Sequence, residues 1–135
     1  MEIQESIERI VEAKDRLGLM FYEHFLRHYP QVQQYFQTVE LQRQSNLLIS
    51  ALMIAERHAT HPSRTTEMYL RHLGTRHHDS KISRNVYGVW IQAMLETMQE
   101  FHGQDWTPEL ENQWRQALEG AVQLMLLGYE ERMLV

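Results

Sequence analysis

The chain has 135 residues, enough for one ordinary domain, and 43% of them are hydrophobic, which supplies a core. Its 13 Lys and Arg against 18 Asp and Glu leave a formal net charge of −5, which argues against a nucleic-acid binder. The lack of cysteine excludes disulfides and thiolate zinc sites, and no apolar run approaches the roughly 20 residues that cross a bilayer. We therefore expect a single cytoplasmic domain over residues 1–135 that binds neither nucleic acid nor membrane.

Apolar residues recur at helical spacing through the first half of the chain. The first stripe runs from Ile3 to Leu17, and Gly18 is expected to loosen or bend the chain after it. Pro30 restricts the residue before it and opens a new turn, which predicts a short helix after a sharp corner. The predicted helices of this half cover residues 3–17, 19–28, 31–36 and 39–60.

Caps and breakers divide the second half of the chain into helices. Ser63 is expected to cap one helix, which Gly74 ends or weakens. Ser83 is expected to cap the next, whose apolar residues keep helical register over 86–101. Residues 107–109 (Thr-Pro-Glu) supply a cap, a proline in the first turn and an acid at the positive end of the helix dipole. Since no segment alternates with a period of two, the sequence predicts an all-α globule of about seven helices.

Common catalytic motifs are absent, and one histidine-bearing segment stands out instead. Neither GxxxxGK[ST], GxGxxG nor GxSxG occurs, which excludes phosphate loops and nucleophile elbows. The segment LGTRHH over residues 73–78 follows an amphipathic helix, and Tyr87 lies ten residues after His77. An isolated histidine of this kind more often has a structural role than binds a metal. We therefore interpret this segment together with other segments of the chain.

Four segments together resemble a known family: FYEHFLRHYPQVQQYF, QSNLLISAL, LGTRHHDSKISRNVY and WTPELENQWRQAL. In this order they are similar to bacterial single-domain globins and to the globin parts of flavohaemoglobins. The resemblance runs from about Ile7 to Gly128. Its most specific parts are the aromatic segment around Pro30 and the segment that ends at Tyr87. It implies a globin fold, with the helices arranged around a haem pocket.

The resemblance implies a ligand for haem iron on the proximal side. His77 matches the histidine that binds the iron in this family, and a neutral imidazole is a usual axial ligand. His78 is the competitor, but neighbours on a helix point about 100° apart, and the match around LGTRH favours His77. Tyr87 matches a tyrosine that hydrogen-bonds the proximal imidazole. Where the family often adds a glutamate, this chain has Tyr129, which implies a weaker push on the iron.

The same resemblance implies the residues on the opposite, distal side of the haem. Tyr22 falls where this group carries its ligand-binding tyrosine, and Gln44 matches the distal glutamine. A phenol O–H and an amide N–H aimed at dioxygen stabilise the negative charge that it acquires. Leu48 matches the apolar wall beside the glutamine, and Phe36 matches the phenylalanine that packs flat on the macrocycle.

Three features of the implied pocket leave alternatives. The distal corner is one residue longer than in close relatives, so Gln42 or Arg43 could take the place of Gln44. Arg76 either pairs with a haem propionate or is a solvated arginine. Trp90 stands where the family usually has a small aliphatic residue, and a tryptophan near the haem edge narrows or reshapes the pocket.

The function that the resemblance implies is a haem b globin that binds dioxygen, nitric oxide or carbon monoxide. Two hydrogen-bond donors imply tight dioxygen binding, which suits scavenging, sensing or nitric oxide chemistry. Nitric oxide dioxygenation requires electrons, and because the sequence ends at Val135 without a flavin or nicotinamide domain, the expected donor is a separate reductase. Enzymatic activity therefore stays an open question. The alternatives are a gas sensor that signals through a partner protein and a haem-free interaction module with a globin fold.

Overall fold

The computed structural model describes residues 1–133, and within them the chain is entirely helical, without a strand. This confirms the all-α prediction. None of the helices in this part of the chain combines the length and apolar character needed to cross a membrane. The α-helices are α1 (Ile3–Glu12), α2 (Arg16–His28), α3 (Leu41–Thr60), α4 (Arg64–Asp79), α5 (Val86–His102) and α6 (Pro108–Met133), and 3₁₀ helices cover Pro30–Tyr35 and Gly103–Asp105.

Three of the predicted helix starts are confirmed, two of them by capping contacts and one by a proline in the first turn. Ser63 and Thr66 form a reciprocal capping box at the start of α4. The Thr107 hydroxyl accepts a hydrogen bond from the Leu110 N–H at 3.1 Å at the start of α6. Pro30 opens the short 3₁₀ helix after α2, as its fixed φ favours. Local sequence therefore determines where these elements begin.

The predictions that glycine interrupts the helices at Gly18 and Gly74 are wrong. The first break lies earlier, between α1 and α2, where Lys14 has a left-handed φ of 61°. Gly18 lies inside α2, which also contains Leu17, and α4 continues through Gly74 to its end at Asp79. Glycine has the same backbone donor and acceptor as other residues, so each helix continues through it, and a neighbouring helix packs directly on it.

Two other helix starts differ from the predictions by a few residues. The helix α5 begins at Val86 with Asn85 in the N-cap position, whereas Ser83 forms the preceding turn, in which its backbone carbonyl accepts the Val86 N–H at 3.0 Å. The helix α3 begins at Leu41 rather than at residue 39. Its N-cap is Glu40, whose carboxylate accepts the backbone N–H groups of the following turn.

The helices α4 and α6 cross with their backbones in contact. A Cβ atom added at Gly74 would lie 1.8 Å from the Met125 carbonyl oxygen, and one at Gly128 would lie 1.9 Å from the Arg71 carbonyl oxygen. The Thr75 hydroxyl also donates to the Gly128 carbonyl at 3.1 Å. Only glycine permits this approach, so the two glycines determine how closely the helices pack.

A second close crossing joins α2 and α3. A Cβ atom added at Gly18 would lie 2.7 Å from the Cβ of Ser45 and 3.0 Å from its carbonyl oxygen. Tyr22 follows Gly18 by about one turn of α2, and Gln44 directly precedes Ser45 on α3. The crossing therefore brings these two polar side chains toward each other.

A buried polar cluster joins α1, α5 and α6. Ser6 Oγ and His102 Nε2 are hydrogen-bonded at 2.6 Å, and the Trp114 indole N–H donates to the same serine at 2.9 Å. The pKa of His102 is lowered to about 4: burial is the largest cause, Arg9 also lowers it, and Asp105 opposes both effects. The imidazole is therefore neutral in the folded protein at neutral pH.

We expect Gly74→Ala to lower the free energy of unfolding by about 1–3 kcal/mol, because its methyl group meets backbone that cannot move aside. The matched control is Gly120→Ala on α6, where nothing lies within 4 Å of the added Cβ. This control should raise the free energy of unfolding by about 0.5–1 kcal/mol. Urea denaturation measures both, and equal effects of the two substitutions would contradict the close crossing.

The neutral state of His102 predicts a pH dependence of stability. The unfolded chain binds a proton at His102 below pH 6.5, whereas the folded protein does so only near pH 4, so stability falls as pH decreases through this window. One such imidazole lowers the free energy of unfolding by up to about 2 kcal/mol between pH 6.5 and 5. The His102→Gln variant should lose less stability over the same range in urea titrations. Parallel curves for the two proteins would contradict the prediction.

Candidate functional site

A cavity of about 330 Å³ lies among α2 to α6, a volume typical of small-molecule sites. Apolar side chains make up most of its lining. A more open depression of about 470 Å³ on the outer side of α4 and α6 is lined mainly by charged groups, among which Arg71 pairs with Glu67 and Glu131. Every predicted site residue lines the apolar cavity: Tyr22, Phe36, Gln44, Leu48, Arg76, His77, Tyr87 and Trp90.

His77 and His78 occupy different environments although they are neighbours in α4. His77 lines the cavity, and its Nδ1 is hydrogen-bonded to the Tyr87 hydroxyl at 3.1 Å. The ring of His78 packs edge-on against the ring of Tyr129, with the centroids 4.6 Å apart. The helical phase thus separates one imidazole that faces the cavity from one that lies between helices.

The imidazole of His77 has the properties of a metal ligand. Burial, together with the charge of the neighbouring Arg76, lowers its pKa to about 4, so the ring is neutral at physiological pH. The contact with Tyr87 occupies Nδ1 and leaves Nε2 for a ligand. Metal-binding histidines commonly have their second nitrogen held in this way.

His77 lies in the last turn of α4, which a Schellman motif closes. The Ile82 N–H donates to the His77 carbonyl at 3.1 Å, and the Lys81 N–H donates to the His78 carbonyl at 2.9 Å. Lys81 adopts the left-handed conformation that this motif requires, with a φ of 63°. The backbone of His77 is therefore hydrogen-bonded to the loop that follows it.

Tyr22 and Gln44 form the polar part of the cavity on the side of α2 and α3. Burial raises the pKa of Tyr22 to about 12, against a hydrogen bond from Gln44 that lowers it. The two other candidates for the glutamine position point elsewhere: Gln42 is exposed and hydrogen-bonded to Asp15, and Arg43 is exposed. The structure thus brings Gln44, among the three alternatives, into contact with Tyr22.

Aromatic rings form the rest of this wall. The ring centroids of Phe36 and Tyr22 lie 5.3 Å apart, and those of Trp90 and Phe21 lie 6.0 Å apart in an edge-on arrangement. Leu48 is buried beside them. Trp90 thus contributes to both the cavity wall and the core, which explains how a large residue is accommodated there.

A family model described as globin matches residues 19–125, most of the chain. The chain belongs to the globin family. A solved structure of a protein from Pseudomonas aeruginosa PAO1, described as structurally highly homologous to a human haemoglobin, is similar to it. The two share 26% sequence identity and a TM-score of 0.74, and the match covers 92% of this chain and 98% of that one. The search of curated proteins gives no match.

The last helix of this globin contacts the loop after α4 and the segment that begins α5. The Tyr129 hydroxyl donates to the Ile82 carbonyl at 2.6 Å, and Glu130 pairs with Arg84. Burial raises the pKa of Tyr87, and the nearby Tyr129 adds to this increase. The tyrosine that contacts His77 is therefore neutral.

Some residues that line the cavity of this globin were missed by the sequence analysis. Leu73 precedes His77 by four residues in α4, and that spacing alone would have placed it on the same helix face. Met125 and Val122 line the cavity from α6, which no local pattern indicates. Arg76 lines the cavity while remaining exposed, so both of its predicted roles are compatible with its position.

Proposed function

We propose that this globin holds haem b in the apolar cavity, with His77 as the axial ligand of the iron. Globins are haem-binding proteins, and the Nε2 atom of His77 is a suitable ligand for haem iron. The observation that carries the proposal is a neutral imidazole in the cavity lining whose Nδ1 is occupied by Tyr87. When Nε2 binds the iron, Nδ1–H donates to the Tyr87 oxygen and orients the ring. Phe36 and Leu48 would pack on the macrocycle and exclude water.

Tyr22 and Gln44 are the proposed donors to a diatomic ligand on the other side. Haem iron supplies the reversible binding of dioxygen, nitric oxide or carbon monoxide. Burial raises the pKa of Tyr22 to about 12, so the phenol keeps its proton at neutral pH and would act as a hydrogen-bond donor to the ligand. Because Gln44 already contacts the hydroxyl, the pair is arranged before the ligand arrives, which strengthens the stabilisation of developing negative charge.

The tight dioxygen binding that two donors would give suits scavenging, sensing or nitric oxide chemistry. Nitric oxide dioxygenation would convert dioxygen, nitric oxide and one electron to nitrate, so each turnover would need one electron from a donor. We propose that a separate reductase donates the electrons. We also propose the globin domain of flavohaemoglobins as the functional model for this chain. Tyr129 supplies a hydroxyl to the Ile82 carbonyl rather than a carboxylate to Tyr87, which favours gas binding over peroxidase-like activity.

Absorption spectra of the ferric, reduced and carbon monoxide forms test the axial ligand. Wild type and His78→Ala should show the Soret bands of a histidine-bound haem. His77→Ala should lose these bands, and external imidazole should restore them. A protein that stays colourless after haem is supplied would contradict haem binding and favour the interaction module. Unchanged spectra in His77→Ala would contradict the assigned ligand.

Rates of gas release test the distal donors. Each hydrogen bond contributes about 0.5–1.5 kcal/mol, so Tyr22→Phe and Gln44→Leu should each accelerate dioxygen release by roughly twofold to tenfold. Carbon monoxide release is the internal control, because carbon monoxide acquires less negative charge and should respond less. Equal acceleration of both gases in stopped-flow measurements would indicate a steric change instead of lost hydrogen bonds.

A further inference from the structure

We infer that His24, His28 and Glu96 form a binding site for a divalent transition-metal ion such as Zn²⁺ at the surface where α2 and α5 pack together. Imidazole nitrogens and carboxylate oxygens are ligands that Zn²⁺ takes in proteins. None of the three side chains lines the apolar cavity. The site is therefore separate from the one proposed to hold haem, and the inference does not depend on the proposed function.

The two histidines of the site share one face of α2. His24 and His28 are four residues apart in this helix, the spacing at which side chains are neighbours, and their ring centroids lie 4.5 Å apart. Two histidines at this spacing bind one zinc ion in the helices of zinc proteases. Arg27 lies between them in sequence but pairs with Glu23, so a carboxylate compensates its positive charge.

Glu96 supplies the third ligand from α5. Its Oε1 lies 2.8 Å from the Nε2 of His24 and accepts a hydrogen bond from the Tyr29 hydroxyl at 3.4 Å. Its Oε2 accepts the side-chain N–H of Gln92 at 3.2 Å. Carboxylates that bind metals in proteins are commonly held by such hydrogen bonds. The carboxylate is thus directed at His24 before an ion arrives.

Binding of the ion completes the site by drawing in His28. As they stand, no three His, Asp or Glu side chains in the described part of the chain are grouped to hold a metal ion. The His28 side chain is exposed, whereas His24 and Glu96 are half-buried and already in contact, so the His28 ring can turn toward an ion that the other two hold. The bound ion replaces the hydrogen bond between His24 and Glu96 and joins α2 to α5.

The first test is isothermal titration calorimetry with Zn²⁺ on wild type, His28→Ala and His61→Ala. Removing a group that merely supports a metal ligand typically weakens binding about tenfold or more, so loss of the His28 ligand should cost at least that much. His61→Ala is the matched control, because it removes another exposed histidine and should bind as wild type does. Absence of saturable binding in wild type, or equal affinities in the three proteins, would overturn the inference.

The second test identifies the ligands. With one equivalent of Cu²⁺, electron paramagnetic resonance of wild type should show coupling to two imidazole nitrogens, and His28→Ala should show one fewer. Glu96→Gln keeps a side chain that can hydrogen-bond to His24 but removes the anionic ligand. It should weaken Zn²⁺ binding while its metal-free circular dichroism spectrum stays that of wild type. Nitrogen coupling unchanged in His28→Ala, or Zn²⁺ affinity unchanged in Glu96→Gln, would contradict the assigned ligands.

Discussion

The close contact between α4 and α6 is the constraint on which the candidate functional site depends. Because Gly74 and Gly128 have no side chains, each helix lies against the other's backbone, and α6 reaches near the turn that carries His77. A methyl group at either glycine would separate the helices and move the histidine relative to the opposite wall. Packing at this crossing thus holds the segment of α4 that carries the imidazole.

A second close helix crossing at a glycine positions the opposite wall of the cavity. Gly18 lets α2 approach α3 at Ser45, and this approach brings Tyr22 to Gln44. The two walls of the cavity are thus built from separate helix pairs. Burial keeps the polar group of each wall uncharged at neutral pH, because Tyr22 keeps its proton and His77 stays without one. Burial therefore reinforces the protonated phenol on one side and the neutral imidazole on the other.

Much of the local structure could be predicted from the sequence, and the errors have a common cause. The caps at Ser63 and Thr107 and the proline at residue 30 act through hydrogen bonds or sterics within a few residues, so their effects are visible in the local sequence. Glycine commonly weakens helices, yet Gly18 and Gly74 lie inside helices and allow a neighbouring helix to approach closely. Nothing within several residues of either glycine identifies that neighbour.

The sequence by itself determined the all-helical class, most helix boundaries and the residue types from which the candidate site is built. Periodicity and capping are local properties, and helical phase separates His77 from His78 without reference to any partner. Only the tertiary structure decided that Gln44, rather than Gln42 or Arg43, meets Tyr22, and that Tyr129 holds the loop at Ile82. These contacts depend on the distance between helices far apart in sequence, which backbone contacts at three glycines determine.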